Sequence, residues 1–274
     1  MKTLTIATLL VFAIASPAVM AVESSLPVEP GPPAELNIRS TPTPVDAILA
    51  KLNARTSTLK SYQCRIEYLF SQPLFDSKSL RTGMLYYQKA DNKSDLRVDF
   101  NTLQQDDENI QKYKQQYILD GLWLSIVDYQ LEQVKAHEMA KPSKTNKPTD
   151  AFELINKNFP IIGFSKVDEL KKQFDISMVP LPREQAEKFI KLKLKVKPNS
   201  IYKNEYTTID FWIDKKLYLP AKIVSTSTEE DIFELNFHRP KVNKKINKNI
   251  FKVTIPKGFE KQTLYLKKAT AQRQ

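Results

Sequence analysis

Residues Gln116–Val134 read QYILDGLWLSIVDYQLEQV, and this stretch narrows the fold more than any other part of the chain. Two apolar runs flank Asp120-Gly121, a dipeptide that supplies the φ > 0 backbone of a tight hairpin turn. A second polar break, Asp128-Tyr129-Gln130, follows one strand length later. The spacing predicts a meander of short antiparallel strands carrying Tyr117, Leu119, Trp123, Ile126 and Val127. It offers no nucleophile in a catalytic setting, no metal-ligand set and no phosphate-cradling glycine loop. It reads as a wall.

Most of the remaining chain alternates in the same way. Tyr62, Cys64, Ile66, Tyr68 and Phe70 face one side of a strand over 61–70, with Gln63, Arg65 and Glu67 on the other. Strands over 82–89 and 95–101 follow, separated by the turn Ala90-Asp91-Asn92. The cleanest case is 190–197, where Ile190, Leu192, Leu194 and Val196 oppose four lysines. Strands over 206–213, 219–227 and 231–238 complete the set, the last two joined by Thr228-Glu229-Glu230. Strict alternation means one buried and one wet face, as in antiparallel sheet. A helix precedes them: Thr43-Pro44-Val45-Asp46 supplies an N-cap, a first-turn proline and an acid, and Val45, Ile48, Leu49 and Leu52 repeat at helical spacing up to about Thr58. In the middle, 150–158 and 166–172 read as short helices around the apolar loop 159–164. The first, with Phe152, Leu154, Ile155 and Phe159, is too apolar to lie free. The fold expected is mainly β (α+β): a curled, incomplete antiparallel barrel, with the N-terminal helix and a central helical lid over an apolar cavity.

The first residues suggest export. Lys2, the uncharged stretch Leu4–Ala15, Pro17 and Val19-Met20-Ala21 make a signal peptide over 1–21, cleaved after Ala21. The competing reading is an uncleaved anchor, for which the apolar run is short of the ~20 residues a span needs. No Cys stands at the cleavage site, so the usual lipoprotein form is not expected. Residues 22–42 are a Pro-rich flexible linker, 43–264 the folded domain and 265–274 a tail. A periplasmic location fits best.

Net charge is +11, from 42 basic and 31 acidic side chains, a balance that favours solubility or attraction to an anionic surface. The single cysteine, Cys64, excludes an internal disulfide, and its place in an apolar row marks it as core. His137 and His238 have no metal-ligand spacing, and no cofactor is expected. Asp106-Asp107-Glu108 and Glu229-Glu230-Asp231 lack a Gly-centred calcium loop. Ser125 and Ser225 lack a Gly-x-Ser-x-Gly setting. The four lysines of 190–197 stand opposite the apolar residues, without aromatics interleaved among them, so nucleic-acid binding is not expected. Two readings of that face stand, a solvated outer strand or transient docking on an anionic membrane or acidic partner.

Several segments, in order, resemble the LolA/LolB superfamily of periplasmic outer-membrane lipoprotein carriers, and more closely the divergent LolA-like proteins of planctomycete-type bacteria. They are the helix and strand ending at Gln72, Gly83-Met84-Leu85-Tyr86-Tyr87, Asp120-Gly121-Leu122-Trp123 through Gln133-Val134, the apolar helix 150–158, and a C-terminal strand Phe251–Gly258 of the form Phe-x-apolar-x-apolar-Pro-x-Gly. The resemblance implies a non-catalytic carrier that shelters acyl chains and moves lipoproteins from inner to outer membrane. Its implied partners are acylated lipoproteins or lipids, an inner-membrane lipoprotein-releasing ABC transporter and an outer-membrane acceptor. The alternative is a periplasmic lipid- or glycolipid-binding, or lipoprotein-sensing, module of the same fold. A monomer is expected. The side chains assigned to the cavity are Tyr68, Phe70, Leu85, Tyr87, Val98, Trp123, Phe152, Ile155, Phe211 and Ile213. Family carriers often place a gating Arg just after the second barrel strand. The nearest equivalents here are Lys89, followed by Ala90 rather than proline, and Arg97, which also reads as a solvated strand residue.

Overall fold

The computed structural model describes residues 43–89, 94–139 and 167–265. Helix α1 (Pro44–Ser57) opens with the expected cap: Asp46 N–H donates to Thr43 Oγ1 at 3.2 Å and Thr43 N–H donates to Asp46 Oδ2 at 2.9 Å. Then come β1 (Ser61–Gln72), β2 (Ser77–Lys89), β3 (Ser94–Gln105), β4 (Gln111–Asp120), β5 (Trp123–Asp128) and β6 (Gln133–Glu138). After them lie α2 (Val167–Gln173), β7 (Phe174–Val179), α3 (Arg183–Lys188), β8 (Phe189–Val196), β9 (Tyr206–Asp214), β10 (Pro220–Ser227), β11 (Ile232–Val242) and β12 (Glu260–Leu264). The lid assigned to 150–158, with Phe152 and Ile155, lies outside the described residues, as do the signal peptide, the linker and the turn at 90–92.

The twelve described strands form one open, curled sheet in the order β12-β6-β5-β4-β3-β2-β1-β11-β10-β9-β8-β7. Every neighbouring pair is antiparallel except β12 with β6. Because side chains alternate, register alone sorts them onto two faces. Cys64, Leu85, Val98, Tyr117 and Ile126 stand opposite one another across β1 to β5. Tyr68, Leu235, Ile223, Phe211 and Leu192 continue the same face across β11 to β8. Leu49 and Leu52 of α1 pack into this face, which is here called the inner one. Each such leucine contributes about 1.5–3 kcal/mol by leaving water.

The outer face has two halves. Over β8 to β11 it is wet and charged: Lys191 pairs with Asp210 at 2.7 Å, Lys222 with Glu234 at 2.7 Å, and both ammonium groups lie over Trp212. Over β3 to β6 it is covered. Ile118, Val127, Val134 and Ala136 are buried there, on the side opposite Tyr117 and Leu124, and Ile246 and Phe251 of the C-terminal segment are buried as well. The segment is pinned by Arg97, which pairs with Asp99 at 2.7 Å and donates from Nη1 to the Ile250 carbonyl.

Two sequence expectations change. Phe251–Gly258 is not a strand: a 3-10 turn over Lys248–Phe251 buries the Phe251 ring, and the C-terminal strand begins only at Glu260. Pro256 has no N–H to give a ladder and Gly258 turns the chain at φ 91°. The hairpin also differs by one residue. Asp120 pairs with Trp123, so Gly121 and Leu122 form the loop, and of these two only Gly121 has positive φ, at 64°. That is the glycine-first pattern of a type II′ turn rather than an Asp-Gly type I′ pair.

Candidate functional site

The inner face is sealed at one end. Leu49, Leu52 and Leu59 pack with Tyr62, Cys64, Phe174, Phe211 and Leu219 into the main core. Burial pushes the Cys64 thiol up to about 12, the inert state expected of a core cysteine. Further along β1 the side chains grow larger and less buried. Phe70 stacks on Phe233 at 5.0 Å, Phe233 meets Tyr206 edge-on at 6.3 Å, and Phe100 lies 6.1 Å from both Tyr68 and Tyr117. Tyr68, Phe70, Tyr117, Tyr206 and Phe233 are all half-buried. Burial raises the Tyr117 and Tyr206 hydroxyls to about 12, so both stay neutral at physiological pH.

A polar island interrupts this aromatic surface. Arg81 Nη1 donates to Gln115 Oε1 at 3.4 Å, Tyr117 donates to the same oxygen at 3.0 Å, and Gln115 Nε2 donates to Asp128 at 2.8 Å. The register explains the meeting: Gly83, Phe100, Gln115 and Asp128 are neighbours across β2 to β5, and Arg81 stands two residues before Gly83 on the same face. Gly83 is required there, because a Cβ would fall 1.8 Å from the Asp99 carbonyl oxygen.

Of the cavity assignments within the described residues, Tyr68, Phe70, Leu85, Tyr87, Val98, Phe211 and Ile213 share the inner face. Leu85, Tyr87, Phe211 and Ile213 are fully packed in the core, whereas Tyr68, Phe70 and Val98 retain some exposure. Trp123 stands on the outer face, on the side opposite Leu124, with its ring 5.7 Å from Tyr265. Of the gating assignments, Arg97 is also on the outer face and holds the C-terminal segment. Lys89 is exposed at the rim. There it borders an open groove of about 830 Å³ with Lys60, Lys244, Lys245 and Lys248, and among the described residues no carboxylate lines it. The sequence assignment missed Arg81, Phe100, Gln115, Tyr206 and Phe233. Only the parity of β1 and β11 carried a signal for Phe233, and nothing local marked Arg81.

Among the described residues no group of three His, Cys, Asp or Glu side chains is placed to hold a metal. His137 is partly buried and its pKa is lowered, first by that burial and then by Lys135. Asp106 serves its turn by accepting from Lys78 N–H at 2.7 Å, which lowers its pKa. Among the described residues no helix is long and apolar enough to cross a membrane.

No protein-family model matches the chain, and no curated protein matches it significantly. Solved structures do show similarity. An uncharacterized conserved protein from Thermus thermophilus aligns over 81% of this chain and 99% of its own, at TM-score 0.47 and 12% identity. A chain of the Pseudomonas aeruginosa MucA/MucB complex aligns over 76% of this chain at TM-score 0.41 and 14% identity, and only 61% of that chain is covered. A LolA superfamily protein from Nitrosomonas europaea aligns over 76% of this chain and 96% of its own, at TM-score 0.35 and 12% identity.

Proposed function

We propose that the protein is a non-catalytic periplasmic carrier whose inner face shelters acyl chains, with lipoproteins as the cargo that its sequence motifs imply. One observation carries this reading: the inner face is mainly apolar from β7 to β5, apart from the island of Arg81, Gln115 and Asp128, yet its β1–β4 and β9–β11 stretch ends in half-buried aromatic rings that no described helix covers. An acyl chain crossing water exposes ~0.8 kcal/mol of unfavourable surface per methylene, and such a surface removes that cost without chemistry. Delivery also needs contact with a membrane. The lysine-lined groove at the rim supplies a site of the right sign for an anionic lipid surface, where each lysine contributes about 1 kcal/mol. The lysines of β8 are a weaker candidate, because Lys191 is already paired.

Native mass spectrometry of the protein isolated from the periplasm tests the reading. A co-purifying triacylated polypeptide supports a lipoprotein carrier, and a free lipid supports a lipid-binding module of the same fold. An empty chain that also fails to take up a lipoprotein in vitro overturns the proposal.

A further inference from the structure

Among the described residues, Arg81 is the only charged side chain that is buried, at 9% exposure, and it lies with Gln115 and Asp128 on a face that is elsewhere mainly apolar and aromatic. Its protein partners do not account for its being there. The Nη1 contact with Gln115, at 3.4 Å, is at the long limit of a hydrogen bond, and the Tyr117 hydroxyl, itself bonded to Gln115, is a second oxygen beside the guanidinium. Nε is buried with no partner among the described residues. No described carboxylate pairs with it directly. Asp128 is reached only through Gln115, and its other oxygen accepts from the N–H groups of Gln130 and Leu131 at 3.0 Å each. Tyr113 offers its ring face 5.1 Å away, which steadies a cation but fills no donor. A guanidinium carries five N–H donors in a planar fork shaped for two-oxygen anions, and here most of that fork has no described protein acceptor. A buried cation left in that state is costly unless another group completes its shell.

We infer that Arg81 is a head-group subsite, receiving the oxygens of a carboxylate or phosphate on an acyl-chain ligand whose hydrocarbon lies along the neighbouring aromatic rings. The inference rests on the inner face being an acyl-binding surface and goes beyond it. The acyl groups of a lipoprotein end in neutral esters and amides, so this subsite extends the ligands to free anionic amphiphiles. Tyr68 stands directly opposite Arg81 on β1, and Phe100 lies beside Tyr68, so the charge and the aromatic surface form one continuous track.

The test is displacement of N-phenyl-1-naphthylamine, a neutral apolar dye, from the full chain by two matched pairs: palmitate with methyl palmitate, and dioleoyl phosphatidic acid with dioleoylglycerol. At least one acid should displace the dye at a concentration tenfold or more below its neutral counterpart. Preference for palmitate identifies a carboxylate subsite, and preference for phosphatidic acid a phosphate subsite. Arg81→Met should bring each pair within about twofold while still binding dye. Asp128→Asn keeps the acceptor for the turn but removes the opposing charge, and should widen the preference severalfold. Equal displacement by acid and neutral ligand in the wild type overturns the inference, as does a preference that survives in dye-binding Arg81→Met. Should that variant fail to fold, an unchanged ratio in Asp128→Asn overturns it instead. Failure of the wild type to bind dye and every lipid overturns the acyl-binding reading itself, and the subsite with it.

Discussion

Asp46 ties the first helix to the rest of the domain through a single carboxylate. It pairs with Lys171 of α2 and caps α1 through Thr43, and these contacts lower its pKa from 3.8 to about 2, with the Lys171 contact the largest cause. A depressed carboxylate pKa adds stability above the unfolded value, and that stability is lost as pH falls through the folded one. Asp46→Asn should therefore melt below the wild type at pH 6, and the gap should close between pH 4 and pH 2. Thermal melts across that range check the sign. Gly83 makes the opposite kind of demand, on space rather than charge. With the Asp99 carbonyl 1.8 Å from any added Cβ, Gly83→Ala must move the β2–β3 backbone, and denaturant titration should show a loss of about 3 kcal/mol. Some residue-level features were visible in the bare chain: Cys64 as core followed from its alternating row, and the Thr43 cap from its spacing. Arg81 was not visible, because an arginine among strand residues looks solvated until register sets it beside Gln115.

Among the elements, the C-terminal segment changes the meaning of Gln116–Val134. A strand with one wet face alternates, whereas this stretch buries Ile118 and Leu119 in succession, and Val127 lies on the face opposite Leu124. Both faces are covered, the inner one by the core and the outer one by residues after Asn243, so periodicity lost its power to assign parity. That is why Trp123 was placed on the wrong side, whereas the strand sought at Phe251 rather than Glu260 came from the family resemblance. Covering by a distant segment leaves no local trace. Phe251→Ala should cost about 3–5 kcal/mol by emptying that outer layer. Amide exchange at Ile118 and Val127 should accelerate, while acyl binding on the inner face stays unchanged.

At the scale of the whole molecule, the sheet divides its labours by face: ion pairs and the C-terminal segment outside, hydrocarbon inside, lysines at the rim. The order of helix, hairpins and alternating strands was legible because antiparallel sheet writes a period of two into the sequence. The curl was expected too, whereas the meeting of β1 with β11, residues 61–72 against 232–242, was not legible, since pairing across that distance depends on the whole chain. Substituting Lys244, Lys245 and Lys248 with Glu should weaken binding to phosphatidylglycerol vesicles by roughly a hundredfold or more, from about 1 kcal/mol per lysine removed and added repulsion. Salt should mimic the effect in the wild type, which co-sedimentation can follow. The central claim is that acyl chains lie on the inner face, and photo-crosslinking with a diazirine-bearing fatty acyl probe followed by peptide mapping tests it most directly. Adducts on Tyr68, Phe70, Val98, Tyr117 or Phe233 are the predicted result. Adducts confined to outer-face residues such as Trp123 and Trp212, or none above the level of a denatured control, would contradict it.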